Sequence, residues 1–427
     1  MQEKTQLRKT LTLGKAIALA IGIVLGAGLL ILPGIAYAQV GQAAIFAWLI
    51  DALIVIPLLI IFSTLGSRYP SAGGITNFVH LGFGNTAGGV SELLLMGAFF
   101  LGLPAVAITG GRYLAYIFGT NNNLFIYLIA LGFVLIVGGL NFKSTGLSGL
   151  VQQILSYSLL VVLFVVAILG LLESSSHRHS IPSLAIWPHA IPVLGIVFFA
   201  FTGWEMFSSL GEELHNPKRD FPIAVIVSFL IITFLYIAIA LATQWDLSAS
   251  SSQTTQAPIA AILSNTLGSA SAKVIAAVGA IILFANLNSA TWAVSRLLFS
   301  SARHGLIPAS LDKVDAKTQI PQRAVIVTCI IFFLIISLNY LKLISLNLMF
   351  SLSGENFFLL YLFTVLAYLK LTAKVINSIL GIGTCIISLI FIVSFGSNLI
   401  YPLALIVIGI VARARGRKTF SSAKIQD

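Results

Sequence analysis

Apolar positions along this chain do not alternate with polar ones at the period of a half-buried strand or a one-faced helix; they run on without interruption. The runs cluster around the roughly 17 to 25 residues that a helix needs to cross hydrocarbon, and short polar joints separate them. About twelve such runs are predicted as transmembrane helices: 16–39, 43–67, 88–118, 124–140, 149–171, 190–212, 222–243, 270–301, 324–340, 344–369, 375–396 and 398–412. The first follows Lys9 and Lys15 and ends in "AYA", as a cleaved signal peptide does. Its apolar stretch is too long for one and eleven more follow, so it reads as a span.

Composition strengthens this picture. Of 427 residues, 58% are hydrophobic and 9% charged, with a mean hydropathy of +1.03, more apolar surface than a soluble core absorbs. The expected fold class is therefore an all-α membrane protein with the lipid bilayer as its solvent. No hydrophilic insert is long enough for a soluble domain, which leaves a cytoplasmic segment (1–15), one transmembrane domain (16–412) and a basic cytoplasmic tail (413–427). The longest polar joints, 173–189 and 244–258, are expected to be external, their Ser and Thr solvated. His177 and His179 read as exposed loop rather than as metal ligands.

A formal charge of +11 raises the question of nucleic acid, but the basic residues form no single patch. Of the 24 Lys and Arg, Arg178, Lys273 and Lys342 fall on external joints and Arg112 and Arg296 within spans; the remainder fall on the cytoplasmic side. That asymmetry predicts a multi-pass protein of the cell membrane with both termini in the cytoplasm and no nucleic-acid partner. Cys329 and Cys385 lie inside spans and read as packing rather than as a disulfide or metal pair.

Two runs carry residues that spoil helices. The first holds "AIGIVLGAGLLILPG" (20–34), with four glycines and a proline, and the sixth holds "FFAFTGWEMF" (198–207). A peptide unit left unpaired in hydrocarbon is expensive, so a broken helix survives only where protein, water or ligand completes its hydrogen bonds. Amides at the start of a second half-helix suit a carboxylate, and carbonyls at the end of a first suit an ammonium group. Alone, Gly22 and Gly26, four apart, favour a close-packing seam, with Pro33 as a simple kink. The second interruption tips the reading towards two discontinuous helices, the first and the sixth, at matching places in an inverted repeat of spans one to five and six to ten.

Ionisable residues within spans mark function or pairing. Glu92, Arg112 and Arg296 lie near span ends, where snorkelling explains them. Asp51, Glu205 and Glu355 lie deeper. Asn286 and Ser289 share a face of the eighth span, expected to serve helix contacts first and substrate second. Arg68, Lys218 and Arg219 are plausible inner-gate partners for Glu212, Glu213 and Asp220.

The phrases "IGIVLGAGLLILPG", "YPSAGG" (69–74), "FFAFTGWE", "EELHNPKRDFPIA" (212–224) and "SRLLFSSARHGLIP" (295–308) occur in an order that resembles the amino acid–polyamine–organocation superfamily of transporters. Within it, "YPSAGGITNFVHLGFG" and "GEELHNPKRDFPIA" look most like bacterial methionine and branched-chain amino acid exporters. The resemblance implies a five-plus-five inverted repeat, LeuT-like, with two C-terminal helices added. It places the family's carboxylate-binding turn on Gly26, Ala27 and Gly28 and its ammonium-binding carbonyls on Phe199, Ala200 and Thr202, in a turn that includes Phe201 and Gly203. Trp204 stands where the family has an aromatic gate or pocket wall, and Glu205 where it commonly has a carboxylate, for bracing or for a proton. Some proton-coupled relatives carry a lysine in the fifth helix, but residues 150–164 contain none. Ser156 and Ser158 are then candidate sodium ligands, and Asp51 joins Glu205, Ser156 and Ser158 as a candidate coupling or gating residue.

The resulting expectation is a secondary transporter that works by alternating access on a neutral apolar amino acid such as leucine, isoleucine, valine or methionine, with H+ or Na+ as coupling ion. No cofactor is expected. A cationic amino acid or polyamine as substrate would need Asp51 or Glu205 to face the pocket. A channel would need a continuous polar lining, and an enzyme a nucleophile, metal cluster or paired acid and base; the spans offer none of these.

Overall fold

A computed structural model describes residues 11–69, 74–142, 149–173, 182–208, 214–315, 320–372 and 375–423. Among these the chain is helical, and its one β feature is an isolated parallel bridge between Leu11 and Leu214. The helices are α1 (Leu13–Val24), α2 (Ala27–Val40), α3 (Ala44–Arg68), α4 (Gly74–Ile117), α5 (Asn123–Phe142), α6 (Gly149–Glu173), α7 (Leu194–Ala200) and α8 (Trp204–Ser208). They continue with α9 (Pro217–Asp246), α10 (Ser252–Gln256), α11 (Pro258–Leu267), α12 (Ser269–Arg303), α13 (Gln322–Tyr340), α14 (Leu346–Leu371), α15 (Val375–Val393) and α16 (Ile400–Ala423). Among the described residues, nine helical segments are long and apolar enough to cross a membrane. The protein is a helical membrane protein.

Burial separates the bundle into a centre and a lipid-facing rim. The 44-residue α4 lies at the centre and packs along α12 and α14, while α3 packs along α9. On α5, α13 and α16, large side chains such as Leu135, Leu334 and Val407 stand more than half exposed. Such exposure is costly in water and neutral in hydrocarbon. From Glu92 to Arg112, α4 rises about 30 Å, the thickness of a hydrocarbon core.

Local chemistry sets several helix ends. Ser345 accepts the Leu348 amide at the start of α14 (3.1 Å), and Pro217 opens α9, where Asp220 accepts the Asn216 amide (3.3 Å). Both cysteines are free, and Cys329 Sγ packs where a Cβ on Gly138 would lie (2.9 Å).

Two stretches depart from the hydropathy reading. The third span was expected to begin at 88, yet helix runs from Gly74 and turns at Gly84, whose φ of 81° only glycine adopts freely. The segment before the turn, "GITNFVHLGF", is too polar for hydropathy to register as helix. The joint at 244–258, expected as solvated loop, is partly buried, with Thr254 at 0% exposure and Gln256 at 8%. Its polar groups find partners inside the protein: Thr254 Oγ1 donates to Ser248 O (2.7 Å), Gln256 Nε2 to Thr120 O (3.0 Å), and Arg112 Nη1 donates to Thr255 O (2.7 Å). His177 and His179 lie outside the described residues.

Candidate substrate site at two helix breaks

The chain leaves helical geometry at both glycine-marked interruptions. α1 ends at Val24; Leu25 (ψ 81°) and Gly26 (φ −117°, ψ −142°) turn the chain, and α2 starts at Ala27. The Gly26 amide folds back on Val24 O (2.8 Å). With glycine as N-cap, no side chain caps α2, and the amides of its first turn have no carbonyl four residues earlier to bond. They form the positive end of a helix dipole with no Cβ in front of Gly26 or Gly28.

The second break is built differently. α7 ends at Ala200, and Gly203 takes φ 115°, a conformation that side chains rarely allow, before α8 begins. Phe199 O accepts both the Thr202 amide (3.2 Å) and Thr202 Oγ1 (2.8 Å). The Gly203 amide donates to Glu205 Oε2 (2.9 Å), and Tyr361 donates its hydroxyl to the same oxygen at 2.5 Å. Glu205, 5% exposed, therefore caps α8 and ties it to α14.

The two breaks touch. A Cβ on Gly28 would lie 2.7 Å from Ala200 Cα, and one on Gly203 would lie 3.3 Å from Ile23 O. Tyr236 of α9 spans both: its hydroxyl reaches Ala200 O at 2.6 Å and Val24 O at 3.3 Å, one donor for the last carbonyl of each first half-helix. Beside this junction lies a cavity of about 70 Å³. Gly26, Gly28, Thr202, Gly203, Glu205 and Asn286 give it a polar floor, and Phe99, Leu103, Val106, Phe199, Met206 and Phe357 give it apolar walls.

Other expected residues fall elsewhere. Ala200, Phe201 and Trp204 are buried but do not line the cavity; Phe201 packs on Trp48 (6.1 Å) and Tyr236 (5.0 Å). Ala27 is the first residue of α2. Asp51 in α3 is wholly buried, and neither carboxylate oxygen has a hydrogen-bond partner among the described residues. Glu355 Oε1 accepts from Ser351 (2.8 Å) and Asn398 (3.0 Å), away from the breaks. Ser158 is exposed on α6, and the Ser156 side chain, Glu212 and Glu213 lie outside the described residues. Asp220 serves as a helix cap, and His304 Nδ1 lies 3.7 Å from Glu92 Oε1. Among those residues no cluster of His, Cys, Asp or Glu could hold a metal.

Sequence reasoning missed Tyr236, Tyr361 and Phe357, whereas Phe99, Leu103 and Val106 belong to the stretch 93–106 that it expected to line the site. Neither tyrosine stands out in the sequence, because α9 also carries Ser228, Thr233 and Thr243, and α14 also carries Ser351, Ser353, Thr364 and Tyr368.

The model of a family described as amino acid permease matches residues 11–416. The chain belongs to that family. An uncharacterized amino acid permease of Bacillus subtilis, YecA, is 29% identical over 95% of both chains. The L-methionine/branched-chain amino acid exporter YjeH of Escherichia coli is 26% identical over 86% of this chain and 87% of its own. The serine/threonine exchanger SteT of B. subtilis is 27% identical over 86% and 83%. Family membership agrees with the resemblance carried by the glycine-rich motifs, and it makes the chain a multi-pass membrane permease of amino acids rather than an enzyme.

Proposed function

We propose that this permease is a secondary transporter of the cell membrane, both termini cytoplasmic, that carries a neutral apolar amino acid by alternating access. In this reading twelve spans form a five-plus-five inverted repeat with two further helices. One observation carries the proposal: the uncapped amides of α2 and the carbonyl end of α7 meet beside a cavity with apolar walls. The amides take the carboxylate, the carbonyls around Phe199 to Thr202 take the ammonium group, and the walls take the side chain. The one carboxylate in the lining, Glu205, is already engaged by Tyr361 and the Gly203 amide, which disfavours a cationic substrate.

Cavity size favours a second substrate reading. At about 10–15 Å³ per water-sized position, about 70 Å³ holds a small amino acid such as serine or alanine, and a leucine side chain needs Phe99 or Phe357 to swing aside. Apolar walls separate neighbouring aliphatic side chains by only about 1–3 kcal/mol, so leucine, isoleucine, valine and methionine should compete with one another. Countertransport in proteoliposomes with leucine, methionine, serine, arginine and putrescine tests both. Transport of arginine or putrescine without competition by leucine would overturn the assignment.

Coupling to H+ or Na+ centres on Asp51. An ionised carboxylate with neither oxygen paired costs on the order of several kcal/mol, so a proton or a cation has to neutralise it at some stage of the cycle. Asp51→Asn should keep exchange of amino acid across the bilayer and lose accumulation driven by an ion gradient. Undiminished accumulation by the variant would remove Asp51 from coupling.

A further inference from the structure

A second cavity, of about 270 Å³, opens between the far end of α4, the start of α5 and the α13–α14 turn. It shares no lining residue with the cavity at the breaks. Arg112 lies six residues beyond Val106 of the first cavity, about 9 Å along α4.

Its lining carries two cations, Arg112 and Lys342, and no carboxylate. Arg112 is anchored by one bond, from Nη1 to Thr255 O, and forms no ion pair among the described residues. Lys342 is held in an unusual way. Its φ of 61° makes it the one non-glycine residue with positive φ among the described residues, a conformation that glycine or asparagine adopts at less cost. The turn that holds it is closed by its amide on Asn339 O (3.0 Å) and by Asn339 Nδ2 on Ile344 O (2.9 Å). Beside it Tyr127 and Tyr340 stack with ring centroids 4.5 Å apart. The rest of the lining mixes Asn123, Asn339 and Ser345 with aliphatic side chains of α4, α5, α13 and α14.

We propose that this cleft binds a small aliphatic carboxylate, the class to which an apolar amino acid belongs. An arginine and a lysine that line one space, with no acidic residue in that lining, recognise an anion, and Arg pairs a carboxylate through two parallel bonds. The aliphatic wall and the stacked rings suit an organic body rather than a bare inorganic ion. That the natural ligand is the transported amino acid, held at a station on one side of the central site, rests on the transport reading above; the carboxylate specificity does not.

Calorimetry on the full chain in nanodiscs of neutral lipid tests this with three probes: isocaproate, which is leucine without its ammonium group; isoamylamine, which is leucine without its carboxylate; and inorganic phosphate. Isocaproate should bind and isoamylamine should not. Lys342→Gln and Arg112→Gln should each weaken isocaproate about tenfold or more, as expected for loss of a charged hydrogen bond. Lys342 sits in a turn, so its variant keeps the fold if Arg112→Gln fails to. Repeating the titration in Gly28→Val isolates the cleft, because that change blocks the breaks; binding that persists there separates this proposal from the central site. Absence of isocaproate binding, equal binding by both variants, or binding of phosphate alone would overturn it. So would loss of binding in discs containing phosphatidylglycerol, which would make the cleft a lipid-headgroup site.

Discussion

The two helix breaks are made from the same kind of residue and end in opposite chemical states. At the first, glycine supplies no cap, and the amides of α2 stay uncapped by any side chain. At the second, nearly every exposed backbone group already has a partner: Phe199 O takes two donors, Ala200 O takes Tyr236, and the Gly203 amide takes Glu205. A ligand carboxylate therefore meets open donors, whereas a ligand ammonium group meets carbonyls already engaged, Ala200 O by one donor and Phe199 O by two. Asymmetry of this kind makes the first break the place where binding energy is gained and the second the place where bonds are exchanged.

The largest expected effect comes from closing the first break. Gly28→Val puts side-chain atoms where Ala200 Cα already lies 2.7 Å from an ideal Cβ, and the two breaks must part. Transport should be abolished, with thermal stability lowered by about 1–3 kcal/mol, the usual cost of overpacking. Wild-type substrate affinity in the purified variant would mean that Gly28 only packs helices.

Next is the clamp on the second break. Glu205→Gln keeps the shape but turns two bonds to a carboxylate, from Tyr361 and the Gly203 amide, into bonds to a neutral amide. Bonds to charged acceptors contribute about 1.5–3 kcal/mol, so transport rate should fall roughly tenfold or more while leucine remains preferred over arginine. A variant that binds substrate normally but exchanges it slowly would sharpen the view that this break is remodelled during the cycle. Unchanged turnover would remove Glu205 from it.

Tyr236→Phe tests the bridge between them. Ala200 O and Val24 O lose their shared donor; Val24 O keeps the Gly26 amide, so the cost of about 1–3 kcal/mol in stability falls on the buried Ala200 acceptor. If the ammonium group lands on these carbonyls, bound substrate should restore part of the loss, seen as a larger ligand-induced rise in Tm than wild type gives. An equal rise in both proteins would place the ammonium group elsewhere.

What could be read in advance follows the same division. Glycines in an apolar run serve close packing as well as breaks, and it was the pairing of two such interruptions, in the first and sixth spans, that made Gly26, Gly28 and Gly203 visible. Tyr236 and Tyr361 were not, because their role depends on which faces of α9 and α14 turn towards the breaks, and helices whose polar residues gather on no one face carry no periodicity to report rotation. Segment 252–267 was obscured for a different reason: its Thr and Gln satisfy their hydrogen bonds internally, and hydropathy prices them as if solvent did. Phe201 and Trp204, expected at the site, are buried outside the cavity lining, Phe201 against Trp48 of α3 and Tyr236 of α9.

The smallest effect is expected at Ser158. An oxygen ligand for sodium must face an enclosed space shared with other oxygens, since the ion sheds water only where several ligands replace it. Ser158 instead stands on an exposed face of α6, where a hydroxyl in a membrane helix usually bonds the preceding turn. Ser158→Ala should change transport by less than about twofold, and dependence on external sodium should be the same as in wild type, because a surface substitution away from packed groups costs within about 0.5 kcal/mol. A steep loss of sodium-dependent uptake in this variant alone would show that α6 turns its Ser158 face inward at another stage of the cycle. The comparison of the two breaks would then have to include a third element that moves with them.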